Sequence, residues 1–498
     1  MNVNPITRLD YPDLDVIRVE DTYYMVSTTM HFMPGCEILQ SFDLVHWEHV
    51  TYVYETLDHT DAQQLKSGHN IYGQGMWAAS LRYHEGRFYI CFVANDTRKT
   101  YLYTSEKIDG PWKKQLIEGF YHDGSLLFDE DGRNYIVYGN DEIWITELNE
   151  DLTAPKKDGL HRLLVSDHKN PELGYEGSHI QKINGYYYIF LVHSLRDRWM
   201  RTEACFYSDS LEGEFTGGDV LCDDRGYCGQ GVAQGGIVDT PDGKWYAMLF
   251  QDSGAVGRIP ILLPVTWKDH FPFFGQNGHV PEEIEVHSTR PGYIYQPLVG
   301  SDDFCNGLLP RWQFNHDPDP RYYHLDALQG TYTITTREVC TELTQAVNTL
   351  TQRMSYPSCA AEVTVDASAL KEGDVAGLCA LQGCYAAVGI TKHHGKYEVL
   401  MLDKKEDGIL DMTEGTVVES HQMDFRLEAD FCNMKDEARC YYRVNKGDWL
   451  PIGTVHKLYF KLDHFTGCRF GLFCYAAEET GGSACFRDFK YYDVDEIS

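Results

Sequence analysis

Five short segments in the first half of the chain carry acidic, aromatic or amide side chains at nearly the same distance before a tyrosine. The segments read PDLDVIR, WAASLRY, HDGSLLF, YEGSHIQ and QGGIVDT. In each segment, one residue lies 11 or 12 positions before that tyrosine; these residues are Asp13, Trp77, Asp123, Glu176 and Gln234. Three carboxylates, one indole and one amide at a repeated position are candidates for one shared site.

Three acids that meet in a partly desolvated pocket cannot all ionise freely, because like charges and burial raise at least one pKa. A protonated acid beside an ionised one is the pair that glycoside hydrolysis uses. The indole of Trp77 suits a sugar ring, whose C–H face packs on an aromatic surface. Two other interpretations stay open: the acids bind a hard cation, or each acid only caps a strand or pairs with a nearby base.

The tyrosines themselves mark a repeat. Each follows a tight turn and begins a strand-like run, as in VEDTYYM, HEGRFYI, EDGRNYI, INGYYYI and PDGKWYA, and neighbouring units lie 46 to 65 residues apart. Periods of this length that contain several short strands indicate the blades of a β-propeller. The segments SFDLVHWE, SEKIDGPW and SDSLEGEF are predicted to be the outer strands of three blades. The shared tyrosines are Tyr24, Tyr89, Tyr135, Tyr188 and Tyr246.

A five-bladed propeller would place the five segments around one axis. Radial closure leaves only short, protected sheet edges, and equivalent positions in the ring face the same centre. We therefore expect the five side chains to converge at one mouth of the propeller. Asp15, two places after Asp13, is expected to form a local hydrogen bond instead.

Length and composition limit the classes of protein. A chain of 498 residues is too long for one ordinary core, so two domains are expected. The formal charge of −32 disfavours a nucleic-acid partner. We see neither a secretory signal pattern nor a membrane-length apolar run, so we expect no membrane association and a cytoplasmic location. The 15 cysteines are then expected to be reduced thiols, and the oligomeric state stays open.

The second half of the chain lacks the blade pattern. We predict a catalytic propeller over residues 1–285, a linker over 286–301 and an antiparallel β-sandwich over 302–498. Alternating runs with intervening turns support the sandwich. The predicted strands include TYTITT, CAAEVTVDAS, YAAVGITK, YEVLMLD, KLYFKLDH, FGLFCYA and CFRDFKYYDV.

The motifs together are similar to a known family. YPDLDVIRVEDTYYMVSTTMHFMPG, GMWAASLRYHEGRFY, HDGSLLFDEDGRNYIVY, YEGSHIQKINGYYYIF and GRIPILLPVTW resemble glycoside hydrolase family 43, more closely its β-xylosidase and α-L-arabinofuranosidase members. The second half resembles the concanavalin A-like C-terminal domain of the family's β-xylosidases. The resemblance implies an all-β fold, a five-bladed β-propeller followed by a concanavalin A-like sandwich that packs beside the propeller mouth.

The resemblance also implies roles for the three acids. Asp13 matches the general base, although Leu14 and Asp15 depart from the family's motif after it. Glu176 matches the general acid, with Ser178 where the family carries proline. Asp123 matches the acid that orients the general acid and tunes its pKa. The implied reaction is a single displacement that inverts the anomeric centre.

Four further residues match substrate-binding positions of the family. Phe32 and Trp77 match aromatic walls of the pocket, and Arg258 matches an arginine that hydrogen-bonds the sugar at the non-reducing end. Gln234 stands where many relatives carry a histidine at the floor of the site. The expected activity is exo-hydrolysis that releases xylose, arabinofuranose or both from short oligosaccharides.

Two alternatives to this function remain. One is a carbohydrate-binding propeller with a lectin-like module and no catalysis. The other is a propeller whose acids surround a structural cation. For the proposed hydrolysis we expect no required cofactor, and a structural Ca²⁺ stays open. The preference between xylose and arabinofuranose is not readable from the motifs.

Overall fold

The first half of the chain forms five four-stranded antiparallel sheets. The computed structural model describes residues 2–461 and 465–493. Within each of the five sheets the strands follow one another in chain order from one edge to the other. This arrangement confirms the five-bladed propeller. Helical structure in the described residues is limited to four single turns, which are Lys66–Gly68, Gly254–Val256, Leu343–Gln345 and Cys432–Met434.

Each blade begins with its innermost strand and ends with its outermost strand. Blade 1 comprises Asp15–Val19, Thr22–Val26, Gly35–Ser41 and Glu48–Tyr54. Blade 2 comprises Ser80–His84, Arg87–Ala94, Lys99–Ser105 and Lys113–Ile117. Blade 3 comprises Ser125–Phe128, Asn134–Asn140, Glu142–Leu148 and His161–Ser166. Blade 4 comprises Glu176–Ile183, Tyr186–Ser194, Arg201–Ser208 and Thr216–Leu221, and blade 5 comprises Val232–Asp239, Trp245–Asp252, Arg258–Lys268 and Phe271–Phe274.

The shared tyrosines lie in the second strand of each blade, but the predicted outer strands are wrong. Ser41, Ser105 and Ser208, which begin the three segments, end the third strand of their blades. The residues after them form the turn to the fourth strand. In blade 1 the Ser41 hydroxyl accepts hydrogen bonds from the backbone of Asp43 and Leu44, which is the local bonding by which serine favours turns.

The second half forms two packed antiparallel sheets, which confirms the predicted sandwich. The first sheet has nine strands: Phe32–Met33, Gln313–Asn315, Leu350–Arg353, Asp374–Leu381, Tyr385–His393, Lys396–Lys404, Leu410–Met412, Thr416–Val418 and Arg469–Ala476. The second sheet has seven strands: Tyr323–Asp326, Thr331–Thr335, Ser358–Asp366, Gln422–Asp430, Glu437–Val444, Leu450–Lys457 and Ser483–Asp493. A core of buried aliphatic and aromatic side chains fills the space between them.

One predicted strand of the sandwich is wrong. The run KLYFKLDH was expected to be a strand, but the preceding strand ends at its first residue, Lys457. Leu458 is buried and its backbone N–H donates to Asp436 O at 2.8 Å, and the residues from Leu458 to Lys461 have no strand structure. Residues 462–464 of this run lie outside the described residues.

The propeller and the sandwich share a sheet. Phe32–Met33 belongs to the chain of blade 1 but pairs with Phe314 and Asn315 of the sandwich. A buried ion pair crosses the same boundary, with Arg353 Nη1 2.8 Å from Glu37 Oε2. A short pairing of Asn2–Val3 with Glu283–Ile284 ties the start of the chain to the end of blade 5. The boundaries of 1–285, 286–301 and 302–498 stay predictions.

The centre of the propeller holds an arginine. Arg82 Nη1 lies 2.7 Å from Asp15 Oδ2, and Nη2 lies 2.7 Å from the Ser125 hydroxyl. Asp15 also accepts from Leu81 N at 2.8 Å and lies 3.1 Å from His179 Nδ1. Asp15 therefore joins blades 1, 2 and 4 across the axis, which corrects the expected local hydrogen bond. Burial raises the pKa of Asp15, but Arg82 and His179 outweigh burial and lower it to about 2.

The fifteen cysteines are free in the structure, as expected. Buried cysteines, such as Cys91 in the propeller and Cys468 in the sandwich, pack as small apolar side chains. Among the described residues, none of the helices has the length and apolarity needed to cross a bilayer.

We predict that Arg82→Ala destabilises the protein by about 3–5 kcal/mol, because it leaves the buried Asp15 charge without its guanidinium partner. Urea unfolding followed by tryptophan fluorescence measures this loss. The control is Arg133→Ala, whose partner Asp131 and own side chain are each 44% exposed, and it should cost less than ~1 kcal/mol. Equal losses in the two variants would contradict the structural role of the axial ion pair.

Candidate active site

Four of the five blades place a residue with positive φ where the innermost strand begins. The residue that pairs with the shared tyrosine marks an equivalent position in each innermost strand; it is Ile17 in blade 1 and Gln181 in blade 4. Asp13 and Gly177 each lie four residues before that position, so they are equivalent to each other. The φ angles are 52° at Asp13, 47° at Asp123, 65° at Gly177 and 62° at Gln234. Non-glycine residues adopt the left-handed backbone region only at an energetic cost, and residues in this conformation are concentrated at functional sites.

The pairing corrects the predicted alignment by one residue in two blades. In blade 4 the residue equivalent to Asp13 is Gly177, so Glu176 lies one residue before that position. In blade 2, Arg82 pairs with Tyr89, so the equivalent residue is Ala78 and Trp77 lies one residue before it. A bulge follows Glu176, because the register shifts between Glu176 and His179. Bulges redirect side chains next to active sites.

Asp13 is held by an arginine from blade 5. Arg258 Nη1 lies 2.5 Å from Asp13 Oδ1, and the Thr28 hydroxyl donates to Asp13 Oδ2 at 2.7 Å. Arg258 Nε lies 3.2 Å from Asp252 Oδ1, and the other oxygen of Asp252 lies 3.0 Å from Arg201 Nε. All four charged side chains are at most 5% exposed. One carboxylate therefore orients two guanidiniums toward the site.

Asp123 and Glu176 are joined through a histidine. His122 Nε2 lies 3.5 Å from Asp123 Oδ2 and 3.5 Å from Glu176 Oε2. Asp123 Oδ2 accepts from Gly177 N at 3.0 Å, and Glu176 Oε2 accepts from Asn140 Nδ2 at 2.7 Å. The structure thus brings together two acids that are 53 residues apart in the chain.

The charge of Asp13 acts on the same cluster. Burial raises the pKa of Asp123 to about 6, and the charges of Glu176 and Asp13 add to this increase against the opposing charge of His122. The charge of Asp123 raises the pKa of His122 to about 9, against the effect of burial, and Glu176 and Asp13 contribute to the rise. Asp13 is therefore close enough for its charge to act on His122 and Asp123.

The pKa of Glu176 moves in the opposite direction. Burial alone raises the pKa of Glu176, but the interaction with the nearby His122 outweighs burial and holds this pKa below its usual value. Arg201 and Arg258 lower the Glu176 pKa further.

Aromatic rings from both domains flank the acids. The indole of Trp77 packs edge-on against His122, with centroids 6.1 Å apart, and against Phe465, with centroids 5.1 Å apart. Phe465 belongs to the sandwich half of the chain, and its ring centroid lies 4.3 Å from Arg258 Cζ. The sandwich therefore contributes a side chain to the propeller mouth.

The other two predicted binding residues have different surroundings. Gln234 is 3% exposed and packs beside Gly177, where an added Cβ would lie 2.8 Å from Gln234 Cγ. Phe32 is 1% exposed, and its ring centroid lies 3.5 Å from Arg469 Cζ. These contacts place Gln234 next to the acids and Phe32 in the joint between the two domains.

Reasoning from the sequence missed several residues of the cluster. His122 stands directly before Asp123 in the motif HDGSLLF, so its position alone was a signal. Arg201 and Asp252 lie in runs that otherwise read as blade strands. Phe465 follows a sandwich segment and carries no signal that relates it to the acids.

His122, Asp123 and Glu176 are the described side chains with the spacing of metal ligands, since their donor atoms lie within 4.8 Å of one another. They offer one imidazole and two carboxylates, whereas Ca²⁺ takes six to eight oxygen ligands. Water oxygens would have to supply the other ligands, so a structural Ca²⁺ stays a hypothesis.

Comparison with known proteins agrees with this geometry. Residues 3–272 match the model of glycosyl hydrolases family 43, and residues 301–492 match that of the β-xylosidase C-terminal concanavalin A-like domain. A β-xylosidase of Formosa agariphila is 27% identical, over 99% of this chain and 89% of the relative. A non-reducing-end α-L-arabinofuranosidase of Bacteroides ovatus is 25% identical, over 66% of this chain and 63% of the relative.

A solved structure extends the likeness to the whole chain. A bifunctional GH43-CE protein of Bacteroides eggerthii superposes with a TM-score of 0.92 and 42% sequence identity over 100% of this chain. This chain spans 64% of the length of that protein. Since the family model covers more than half of the chain and the site carries the three acids at its mouth, the chain belongs to glycoside hydrolase family 43 and is a glycoside hydrolase.

Proposed function

We propose that this glycoside hydrolase releases xylose, arabinofuranose or both from the non-reducing ends of short oligosaccharides, with inversion at the anomeric carbon. The observation that carries the proposal is the convergence of Asp13, Asp123 and Glu176 at one propeller mouth, beside Trp77 and Arg258. The β-xylosidase and arabinofuranosidase relatives support both sugars. A cytoplasmic location stays a prediction.

Each acid has one role in the proposed reaction. Asp13, held by Arg258 and Thr28, takes a proton from the attacking water. Glu176 protonates the departing glycosidic oxygen from the opposite side of the sugar. Asp123 accepts a hydrogen bond from the backbone N–H of Gly177. Because Gly177 directly follows Glu176, Asp123 helps to position the general acid. Arg258 and Trp77 bind the sugar while positive charge develops at the anomeric carbon.

Exo action follows in this proposal from the sandwich. Phe465 closes one side of the mouth by packing on Trp77 and lying beside Arg258. A long polysaccharide would need an open groove through this position, whereas a pocket admits only a chain end. Early formation of xylose and xylotriose, without xylobiose, from xylotetraose would support exo action.

The first test is substitution of the proposed base and acid. Asp13→Asn should lower kcat/KM about 10²–10⁴-fold on p-nitrophenyl β-D-xyloside or α-L-arabinofuranoside, whichever is hydrolysed. Glu176→Gln should lose more on xylobiose or arabinobiose than on the aryl glycoside, because the aryl leaving group needs little protonation. Asp239→Asn, at the far end of the innermost strand of blade 5, is the matched control. Wild-type rates no higher than those of Asp13→Asn would refute the proposed reaction.

The second test is the configuration of the first product. Inversion predicts that α-xylose forms first from a β-xyloside, because water attacks the face opposite the leaving group. Proton NMR during the first minutes separates the two anomers before they equilibrate. A first-formed β-xylose would show retention and would remove the role of Asp13 as a general base.

The third test concerns the aromatic side chain from the sandwich. We expect Phe465→Ala to raise KM for the aryl glycoside about tenfold, which is ~1.4 kcal/mol of binding, because the sugar loses one wall. Phe273→Ala, on the outer strand of blade 5 with 50% exposure, is the control with an unchanged KM. An unchanged KM in both variants would show that Phe465 does not enclose the sugar.

A further inference from the structure

The hairpin between the second and third strands of blade 4 stands at the propeller mouth, next to Glu176. Val192 of the second strand pairs with Glu176, and Ser194 pairs with Arg201, which begins the third strand. Residues 195–200 therefore extend beyond the level of Glu176 at the mouth. Because neighbouring strands lie about 4.8 Å apart, the third strand lies roughly 10 Å outward from the strand of Glu176.

Hydrogen bonds hold this hairpin against the segment that leads into Glu176. Ser194 N donates to Leu173 O at 3.0 Å, and Arg196 Nη1 donates to Asp167 O at 2.6 Å. The same nitrogen of Arg196 lies 3.3 Å from the Asp167 carboxylate. The hairpin is therefore a fixed surface beside Glu176.

One aromatic side chain of the hairpin, Trp199, is half-buried, so part of its indole is open to solvent. Arg201 Cζ lies 5.3 Å from the centroid of the Trp199 ring, which is within the range of a cation–π contact. Arg201 is itself fixed, because its Nε lies 3.0 Å from Asp252 Oδ2 and its side chain is 2% exposed. Asp252, which also binds Arg258, therefore supports the indole through Arg201.

The sandwich covers a different side of the mouth. Its side chains contact Glu37 of blade 1, Trp77 at the start of blade 2 and Arg258 of blade 5. Among the described residues, we find no hydrogen bond or ion pair that joins the sandwich to the strands of blades 3 and 4. The uncovered way out of the pocket therefore lies over blades 3 and 4, and blade 4 carries both Glu176 and the hairpin.

We propose, on the basis of the proposed function above, that Trp199 is the platform on which the sugar of the leaving group packs. The general acid protonates the glycosidic oxygen, so the leaving sugar begins at Glu176 and extends outward past the hairpin. The C–H face of a sugar ring packs on an aromatic surface. The favoured substrates are then oligosaccharides with a second sugar after the cleaved bond, and Trp199 determines specificity without taking part in bond cleavage.

The test compares two substrates that differ only in the leaving group. One is a disaccharide of xylose or arabinofuranose, whichever the wild type hydrolyses, and the other is the glycosyl fluoride of the same sugar, whose leaving group is a single atom. Trp199→Ala should lower kcat/KM on the disaccharide about tenfold, through the loss of one packing contact, and should leave kcat/KM on the fluoride unchanged. Trp199→Phe keeps an aromatic ring and should lose less.

The matched control is Trp245→Ala. Trp245 is also half-buried, but it begins the second strand of blade 5, at the end of the propeller opposite the mouth. This variant should leave the ratio of the two kcat/KM values unchanged. If Trp199→Ala does not fold, as judged by thermal melting, Trp199→Leu replaces it, because leucine keeps apolar bulk without a flat ring.

The outcomes separate this inference from the proposed function. A wild-type enzyme that hydrolyses neither xylosides nor arabinofuranosides refutes the proposed function itself. An active wild type in which Trp199→Ala loses nothing, or loses equally on the disaccharide and on the fluoride, refutes only the platform at Trp199. A loss confined to the disaccharide, and smaller in Trp199→Phe, supports both.

Discussion

The site depends on the balance of buried charges at the propeller mouth. Four carboxylates and three cationic groups meet there with little access to solvent, and isolated charges in such a place would be unstable. The ion pair between Arg258 and Asp13 is central, because Arg258 also binds Asp252, which in turn binds Arg201. The seven groups are Asp13, Asp123, Glu176, Asp252, Arg201, Arg258 and His122.

This balance is possible only because two architectures meet. Ring closure brings blades 1, 3, 4 and 5 to one axis, so acids far apart in the chain can be neighbours. The sandwich then covers the mouth: Asp10 accepts hydrogen bonds at 2.7 Å from both Arg258 N and Gly467 N. The same carboxylate thus fixes the strand that carries Arg258 and the loop that follows Phe465. Both domains therefore contribute side chains to the site.

The sequence predicted the parts of the fold that repeat. A tyrosine after a tight turn recurs in every blade, so the number of blades and the convergence of Asp13, Asp123 and Glu176 could be inferred. The position of Glu176 shifted by one residue because a bulge follows it, and bulges leave no clear signal in one sequence. Phe465 could not be predicted, because its role depends on how two domains pack. The position of His122 beside Asp123 could be read from the motif, but its location between Asp123 and Glu176 required the structure.

The most direct measurement is a crystal structure of the Glu176→Gln variant with xylobiose or arabinobiose bound. We predict that the non-reducing-end sugar packs against Trp77 and Phe465, whose rings contact each other. Asp13 should face the anomeric carbon across a water, and position 176 should face the glycosidic oxygen from the other side, about 6.5–9.5 Å from the Asp13 carboxyl. A disaccharide bound away from Asp13, or an Asp13 carboxylate turned from the anomeric carbon, would contradict the proposed roles of both acids.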